Sequence, residues 1–482
     1  MVVALSVVKA RVRTDATGAS VELPALLTPA GVLEPLLDYC ISRSHDRSLE
    51  WMRKVVRSVR LFVEYLSCNA LEHDNYRLFM NFAQRLYSGS FDRISGTDPS
   101  GLGWTPMSAR AARAVVSNLT EFFDYLAETR PAAAKLNPKY VGGAFDRGID
   151  EAAYQHRRDR AFLGHTWATT ASHESGTSGR RVRPARNVAT ERVQPPAFPE
   201  EHFARFMTEG FKVGKRYDYR AMLITLLLHG AGFRESEPFH LYTIDVVPDP
   251  ANHRSAVVLI HHPSEGAAPG DWRDERGSKK AGNRAAYLHE KWGLAPRHEQ
   301  WGSKEAGWKG GAHEESFGSL FFRAYWFVPA YGELFMLIWY RYLEQLAMID
   351  RSHPYAFVNT AREPLGSPYS INQYNKAHAA AVRRIGLQVS KAAGTTPHGH
   401  RHAYGRRLAA ANVKPEFIRR FMHHSAIESQ GTYTQPTPSE VLAALRSANQ
   451  TLANSAALAH EAREISLQLQ HNDQSQVRGG NK

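Results

Sequence analysis

The sequence predicts a mainly α-helical protein with a small antiparallel sheet, an α+β fold built from two domains. Apolar residues recur at helical spacing from Trp51 to Leu66 and again from Val115 to Leu126. The run Ala221 to His229 predicts a buried helix, and glycines follow it directly. The β-branched run Ser255 to His262 predicts a strand. Most segments show a helical period and only a few are extended runs, which is the pattern typical of this fold class.

Composition favours a globular, basic protein. The chain has 482 residues, of which 43% are hydrophobic and 22% charged, enough for two or three domains with a sizeable core. Its net charge of +13 favours a polyanionic partner, with nucleic acid ahead of membrane. Net charge alone is equally compatible with a basic protein that binds no polyanion. No apolar run approaches the ~20 residues of a spanning helix, and no leader is evident, so we expect a cytoplasmic protein.

The two cysteines, Cys40 and Cys68, both lie in apolar helical patterns. We expect buried free thiols in a reducing compartment. Two cysteines cannot build a zinc-finger framework by themselves.

Composition and period divide the chain into five segments. These are an N-terminal arm (1–30), a helical domain (31–165), a basic Ser/Gly/Pro/Arg linker (166–198), a mostly helical second domain (199–445) and a C-terminal helix with a polar tail (446–482). In the first domain, Thr105 and Pro106 predict a helix start, a capping hydroxyl followed by proline. In the second, residues 289–332 predict an insertion. Its stretch 292–320 carries three tryptophans and many glycines, and we expect these aromatic residues to fill a local core.

The second domain continues with alternating extended and helical predictions. A second strand is predicted near Arg284 to Leu288, following the strand Ser255 to His262. An apolar helix is predicted over Glu333 to Ile349, and another over Ser370 to Ile385.

The segment Pro397 to Tyr433 carries the densest chemistry. His398 and Arg401 are three residues apart, so on a helix they project from one face. His424 ends a second predicted helix, and Tyr433 lies beyond it. Cations and imidazoles that converge on a tyrosine are what phosphate chemistry with a protein nucleophile requires.

This pattern resembles the tyrosine recombinase (phage integrase) family. His398 to Arg401 matches the family's His-x-x-Arg motif. Residues 422–424, Met-His-His, stand where the family has Leu-Gly-His, and Tyr433 follows nine residues after His424. The departure from the family pattern is His423 in place of glycine.

The resemblance implies two further site residues. The family's first arginine lies in a Gly-x-Arg-x-x-Glu-x-x-x-Leu context, which is matched here by Gly232, Arg234, Glu237 and Leu241. Arg234 is therefore the first phosphate-clamping arginine by resemblance, and Glu237 is expected to brace the fold. The family lysine lies five residues before an arginine, which Lys279 matches through Arg284; the neighbouring Lys280 stays open.

The family's chemistry implies a role for each of these residues. Tyr433 would attack a DNA phosphodiester and form a covalent 3′-phosphotyrosine. Arg234 and Arg401 would hold the non-bridging oxygens, His398 would move a proton near the tyrosine, His424 would donate a hydrogen bond to the phosphate, and Lys279 would protonate the leaving 5′ oxygen. The family uses no metal or other cofactor, and none is expected here.

The resemblance also implies an architecture and partners. The helical N-terminal domain takes the position of a core-binding DNA clamp, and residues 199–445 that of the catalytic domain. Double-stranded DNA with specific recombination sites is the implied partner, with a homotetramer assembled through a Holliday junction and accessory proteins possible. The implied location is the nucleoid, and the implied role is integration, excision or resolution of a mobile element. The C-terminal segment is expected to pack on a neighbouring protomer.

Several basic residues could contact DNA phosphates, and a solvated surface is the alternative for each. They are Arg110 and Arg113 on a predicted helix, Arg180, Arg181 and Arg183 in the linker, and Lys280.

Three other interpretations remain open. The chain could be a catalytically inactive DNA-binding homologue that acts in assembly or regulation, or a type IB topoisomerase-like enzyme. His398 and His402 are four residues apart, as zinc ligands on a helix can be, but no glutamate lies between them in a His-Glu-x-x-His motif and spacing supplies no third ligand.

Overall fold

The computed structural model is mainly α-helical with small antiparallel sheets, as the sequence predicts. It describes residues 4–92, 94–130, 136–137, 139–141, 151–152, 154–156, 158–159, 178–180, 182, 196–316, 318–424, 438–452 and 454–479. Backbone contacts divide the chain into two units, Met1–Glu191 and Arg192–Lys482. Each unit has a hydrophobic core of its own.

The N-terminal unit combines a small sheet with a helical bundle. Its elements are β1 (Ser6–Arg13), β2 (Ser20–Thr28), β3 (Gly31–Val32), α1 (Glu34–Ser42), α2 (Leu49–Cys68), α3 (Asn75–Ser88), α4 (Ala109–Thr129), β4 (Lys139–Val141) and β5 (Ser178–Arg180). The first three strands pair in the order β1-β2-β3, and β4 pairs with β5. Cys40 is a buried free thiol, as predicted, whereas the free Cys68 is only half-buried.

The predicted arm over residues 1–30 is wrong for the strands β1 and β2. The two strands form an antiparallel hairpin in which Ser6 pairs with Leu27 and Arg13 with Ser20. Leu23 and Leu26 of β2 belong to the core of the unit. Burial of these leucines against α1 and α2 holds the hairpin, a tertiary contact that sequence period alone does not reveal.

The fourth helix begins three residues later than Thr105 and Pro106 predict. Ser108 is the N-cap, and its hydroxyl accepts a hydrogen bond from the backbone N–H of Ala111. The preceding segment is held extended because the Met107 N–H bonds the Leu86 carbonyl of α3. A competing serine cap and a contact with the neighbouring helix therefore set the start.

The C-terminal unit contains a four-stranded sheet surrounded by helices. After a short helical stretch (Glu200–His202, Phe203–Arg205 and Phe206–Gly210), its elements are β6 (Lys212–Val213), β7 (Arg216–Tyr217), α5 (Tyr219–Ala231), β8 (Val246–Asp249), β9 (Asn252–His261), α6 (Arg284–Trp292), β10 (Glu314–Ser316), β11 (Ser319–Arg323), α7 (Pro329–Leu346), α8 (Ile371–Arg384), α9 (Pro397–Ala410), α10 (Pro415–Phe421), α11 (Pro438–Thr451) and α12 (Ser455–Gly479). The sheet order is β10-β11-β9-β8. Nearly every residue of α5 is buried, so this helix is the centre of the unit, and both α7 and α9 pack on it.

The second strand predicted near Arg284 to Leu288 is wrong, because this segment is the helix α6. Asn283 caps α6 by accepting from the Ala286 N–H, and the buried Arg284 side chain pairs with Asp245. The strand that pairs with β9 is β11, in which Phe321 lies opposite His261. The predicted insertion, residues 289–332, therefore contains β11, the strand that pairs with β9, and sequence order alone cannot show that pairing.

The aromatic residues of the insertion fill cores, as predicted. Trp308 packs against the main core of the unit. Trp292 packs on a smaller core that contains Trp272 and Tyr287. The insertion is thereby fixed to the body of the C-terminal unit.

The C-terminal helix α12 packs on its own chain. Four of its side chains, Leu458, Ala462, Ile465 and Leu469, belong to the main core of the unit, and α12 contacts α7. These contacts lie within one chain, and the expected contact of the C-terminal segment with a neighbouring protomer stays a prediction. Among the described residues, no helix has the length and apolar character needed to span a membrane.

Candidate phosphate-binding active site

Arg234 follows the end of the central helix α5. Gly232 ends this helix in the left-handed conformation, with φ of +72°, which glycine adopts without strain. The Arg234 Nη1 donates to Glu237 Oε1 at 2.6 Å and to the Gly310 carbonyl at 3.1 Å. Its Nη2 donates to the His423 carbonyl at 2.9 Å. These contacts fix the guanidinium, while 18% of the side chain remains accessible.

Arg401 lies on α9 and is almost fully buried. Its guanidinium donates to the carbonyl of Gly232 and, at 2.5 Å, to that of Met422. Burial first and the nearby Arg234 cation second lower the pKa of Arg401 to about 10, while Glu237 acts in the opposite direction. Arg401 therefore stays charged at neutral pH.

Glu237 braces this part of the fold, as predicted. Its side chain is 1% exposed, and its carboxylate accepts from both the backbone N–H and the guanidinium of Arg234. Burial raises the pKa of Glu237, whereas the Arg401 and Arg234 cations act to lower it.

A single turn after α10 contacts both arginines. The carbonyl of Met422 accepts from Arg401, and the carbonyl of His423 accepts from Arg234. His423 adopts a left-handed conformation with φ of +53°. Two guanidinium groups that are far apart in sequence are thereby held side by side.

His398 and His424 both lie within the electrostatic influence of Arg401 and Arg234. Burial lowers the pKa of His398 to about 4, with His402, Arg401, Lys309 and Arg234 adding to the effect. Burial and the cations Arg401, Arg234 and Arg419 likewise lower the pKa of His424 to about 4. Both imidazoles are therefore neutral near pH 7, so each has one nitrogen that can donate and one that can accept a hydrogen bond. The structure brings together four of the predicted site residues.

Lys279 shares no described contact with this cluster. Its backbone pairs with Arg273, and its side chain is exposed. Arg284, the arginine five residues after Lys279, is buried in an ion pair with Asp245. Lys280 is held by Glu290 at 2.5 Å and lies over the Trp272 ring.

Lys309 is a site residue that sequence reasoning missed. Its side chain is exposed, and its positive charge contributes to the lowered pKa of His398. The next residue, Gly310, accepts a hydrogen bond from Arg234. The sequence signal for this residue is a lysine followed by two glycines, just before the strands β10 and β11. Lys309 lies in the predicted insertion, where the spacing of the family motif does not apply.

Tyr433 lies outside the described residues, as do Arg181 and Arg183. Arg110 is exposed at the start of α4, and Arg113 is half-buried there. Arg180 forms an ion pair with Asp124 and also donates to the Asn137 carbonyl. This contact gives Arg180 a structural role within the N-terminal unit, in place of the predicted phosphate contact.

A second group of histidines is buried beneath the site. His400, between the two motif residues on α9, contacts His229 of α5 at 3.2 Å and His378 of α8 at 2.9 Å. Burial lowers the pKa of His229 to about 4 and that of His378 to about 3. Arg407 and Glu200 continue this network. The sequence shows the histidines but not that they meet.

A zinc site at His398 and His402 would need a third ligand, and the described residues supply none. The rings of His398 and His402 lie 4.4 Å apart. Within the described ranges, no three His, Cys, Asp or Glu side chains are arranged to hold a metal ion.

The fold and the cationic cluster first define a class: a mainly α protein with a site suited to a phosphate anion. The model of the phage integrase family matches residues 334–440, which include His398, Arg401, His424 and Tyr433. Over these residues the chain is similar to the phage integrase family.

Several solved structures match the chain at low identity. XerH site-specific recombinase bound to difH substrate, in a pre-cleavage complex, is 11% identical, with 82% of this chain and 79% of that chain covered and a TM-score of 0.41. XerA recombinase is 12% identical, with 86% and 95% covered and a TM-score of 0.28. The integrase from mycobacterium phage Brujita is 12% identical, with 89% and 96% covered and a TM-score of 0.24. At these scores the superpositions carry no argument about function. No curated protein matches the chain.

Proposed function

We propose that the chain is a site-specific DNA recombinase that cuts and rejoins strands through a covalent 3′-phosphotyrosine at Tyr433. The observation that carries this proposal is the convergence of Arg234 and Arg401 on the consecutive carbonyls of Met422 and His423. Each guanidinium is oriented by backbone contacts before any substrate binds. Preorganised cations stabilise the charge that develops on phosphate oxygens at low cost in reorganisation.

In the proposed first step, the Tyr433 oxygen attacks the scissile phosphorus and forms a new P–O bond. The phenolic proton passes to neutral His398, which is a base suited to this role because its lowered pKa leaves it unprotonated at neutral pH. His424 donates an N–H hydrogen bond to the phosphate. The bond from phosphorus to the 5′ oxygen breaks. A 5′-hydroxyl from another strand then reverses the step and releases the tyrosine.

We propose that Lys309, in preference to Lys279 or Lys280, protonates the leaving 5′ oxygen. The electrostatic effect of Lys309 on His398 and the Gly310 contact to Arg234 support this choice. Lys280 is already paired with Glu290. An ammonium group that loses one proton to the leaving oxygen balances the charge of the step.

Double-stranded DNA is the proposed partner. The net charge of +13 supports a polyanionic ligand. We propose that the protein acts on specific sites of a mobile element, as a homotetramer on two paired DNA sites.

The test begins with DNA that flanks the gene of this protein. Footprinting locates bound sites, and a nicked suicide substrate built on such a site traps any covalent adduct. The wild-type protein should form an adduct that survives denaturation. Tyr433→Phe should bind the same DNA with unchanged affinity but form no adduct.

Each other outcome identifies a different activity. An adduct in Tyr433→Phe would place the nucleophile elsewhere. Binding by the wild type without an adduct would indicate the inactive homologue that acts in assembly. Relaxation of supercoiled DNA without exchange between two sites would indicate a topoisomerase.

The arginine pair is tested on the same substrate. Arg234→Ala and Arg401→Ala should each lower the single-turnover cleavage rate by about 10²- to 10³-fold, the cost of removing one preorganised donor. Arg406→Ala, on the exposed part of α9, is the matched control. Equal effects of Arg401→Ala and Arg406→Ala would remove the clamp from the mechanism.

A further inference from the structure

His423 stands where the family has glycine, and the structure gives its side chain a specific place. The residue has a left-handed backbone, with φ of +53°, which is unfavourable for a side chain with a Cβ. Glycine would adopt the same turn without strain. A histidine at this position therefore needs a compensating set of contacts.

The imidazole of His423 makes such contacts. It is 1% exposed and stacks on Phe322 with ring centroids 4.4 Å apart and planes at 20°. Its Nε2 lies 3.1 Å from the Arg323 carbonyl. A carbonyl only accepts, so Nε2 carries the proton and donates. Both partners belong to β11, so the side chain joins the turn to the sheet.

Phe322 also packs against a second imidazole. His313 stacks on it at 4.3 Å, with the planes at 5°. Phe322 therefore stacks on both His313 and His423, and this packing supports the His423 side chain.

The backbone of His423 contacts the clamp. Its carbonyl accepts from Arg234 at 2.9 Å, and the preceding carbonyl, that of Met422, accepts from Arg401 at 2.5 Å. A side chain that is stacked and hydrogen-bonded restricts the position of its own Cα and so of the adjoining carbonyls. Anchoring of the imidazole therefore sets the direction of the carbonyls that orient both arginines.

We propose that His423 is a positioning residue for the arginine clamp, which holds Arg234 and Arg401 in register by tying their carbonyl acceptors to β11. This inference rests on the proposed strand-cleavage function. A turn that only reverses the chain would be better served by glycine. A turn that must hold two guanidinium groups at a fixed separation gains from the anchor.

The experiment compares two replacements of His423: one relieves the backbone strain and removes the side chain, and the other keeps both the strain and a side-chain donor. His423→Gly removes both the strain and the anchor. His423→Gln keeps the strain and keeps an N–H donor that can reach the Arg323 carbonyl. His289→Gln, at an exposed histidine of α6, is the control. For each we measure the melting temperature, DNA affinity and the single-turnover cleavage rate on the suicide substrate.

If His423 positions the clamp, His423→Gly melts at or above the wild-type temperature and binds DNA normally but cleaves about tenfold to a hundredfold more slowly. His423→Gln, although no more stable than the glycine variant, should cleave within a few-fold of the wild type. The cleavage rate would then depend on the hydrogen bond from residue 423 to β11, and the melting temperature would not.

Cleavage by His423→Gly at the wild-type rate, or faster than by His423→Gln, would overturn the inference and leave the proposed function intact. Absence of an adduct in the wild type would reject the proposed function, and this inference with it.

Discussion

The carbonyl of Gly232 accepts a hydrogen bond from the guanidinium of Arg401, 169 residues further along the chain. The acceptor is the residue that ends the central helix, and the donor lies on the helix that carries the motif His398 to Arg401. The end of one helix is thereby part of the site on another. Changes at Gly232 should consequently affect both stability and the clamp.

Gly232→Ala should destabilise the C-terminal unit strongly. A Cβ at this position would lie 2.4 Å from Tyr404 Cδ1, and the backbone has φ of +72°. Gly293→Ala is a matched control, because Gly293 also ends a helix at φ of +62° but has no atom within 4 Å of the added Cβ. We expect a loss of about 1–2 kcal/mol for Gly293→Ala from the backbone alone, and about 1–3 kcal/mol more for Gly232→Ala from overpacking. Urea unfolding measures both, and equal losses would contradict the close contact.

Lys309→Met should slow strand cleavage on a normal substrate, because the leaving 5′ oxygen then lacks its proton donor. On a substrate with a 5′-bridging sulfur the loss should largely disappear, since a thiolate leaves without protonation. Lys279→Met and Lys280→Met should cleave both substrates at close to the wild-type rate. Single-turnover rates on the paired substrates give the answer. If the 5′-bridging sulfur restored the cleavage rate of Lys279→Met and not that of Lys309→Met, Lys279 would be the proton donor.

The buried histidines should make the protein acid-labile. The pKa of His378 falls from the ordinary 6.5 to about 3 through burial. Below pH 6.5 the unfolded chain therefore binds a proton that the folded chain does not, so stability is fully present above pH 6.5 and is lost as the pH falls toward 3. The free energy of unfolding falls by about 1.4 kcal/mol for each pH step of one across this window.

A variant isolates this contribution from the rest of the network. His378→Leu should lower the slope of unfolding free energy against pH between 6.5 and 4 by about 1.4 kcal/mol for each pH step of one, and the other buried histidines should supply the slope that remains. His289→Leu, at an exposed site, should leave the slope unchanged. Glu461 acts in the opposite direction, because burial raises its pKa to about 7 and so favours the folded state as the pH falls from 7 to 4.5. Denaturant titrations at several pH values test this. An unchanged slope in His378→Leu would show that His378 titrates normally.

Removal of residues 455–482 should destabilise the free protein. The deletion takes four buried side chains of α12 out of the core of the C-terminal unit, and each fully buried leucine contributes about 1.5–3 kcal/mol. Truncation after Leu469 keeps all four and is the control. Calorimetry of the free protein measures the effect. An unchanged melting temperature with weakened assembly on DNA would instead support packing of the C-terminal segment on a neighbouring protomer.

Residue identity and short-range spacing were enough to predict several features. Helical periods gave α2 and α7, and the Gly-x-Arg-x-x-Glu pattern singled out Arg234 and its bracing partner Glu237. The interval between His398 and Arg401 placed both on one helix. These features depend on residues within a few turns of each other, so local sequence contains the information.

Tertiary structure decided the features that depend on distant segments. The partner of β9 is β11, which lies within the predicted insertion. The charge of Lys309, also in that insertion, contributes to the lowered pKa of His398. Arg284 and Arg180 look like free cations in sequence but meet the carboxylates of Asp245 and Asp124. The role of His423 depends on Phe322, about a hundred residues earlier. The sequence by itself determined the fold class and the chemical groups of the candidate site. Only packing decided which of those groups meet, because a contact between distant segments depends on the shape of everything folded between them.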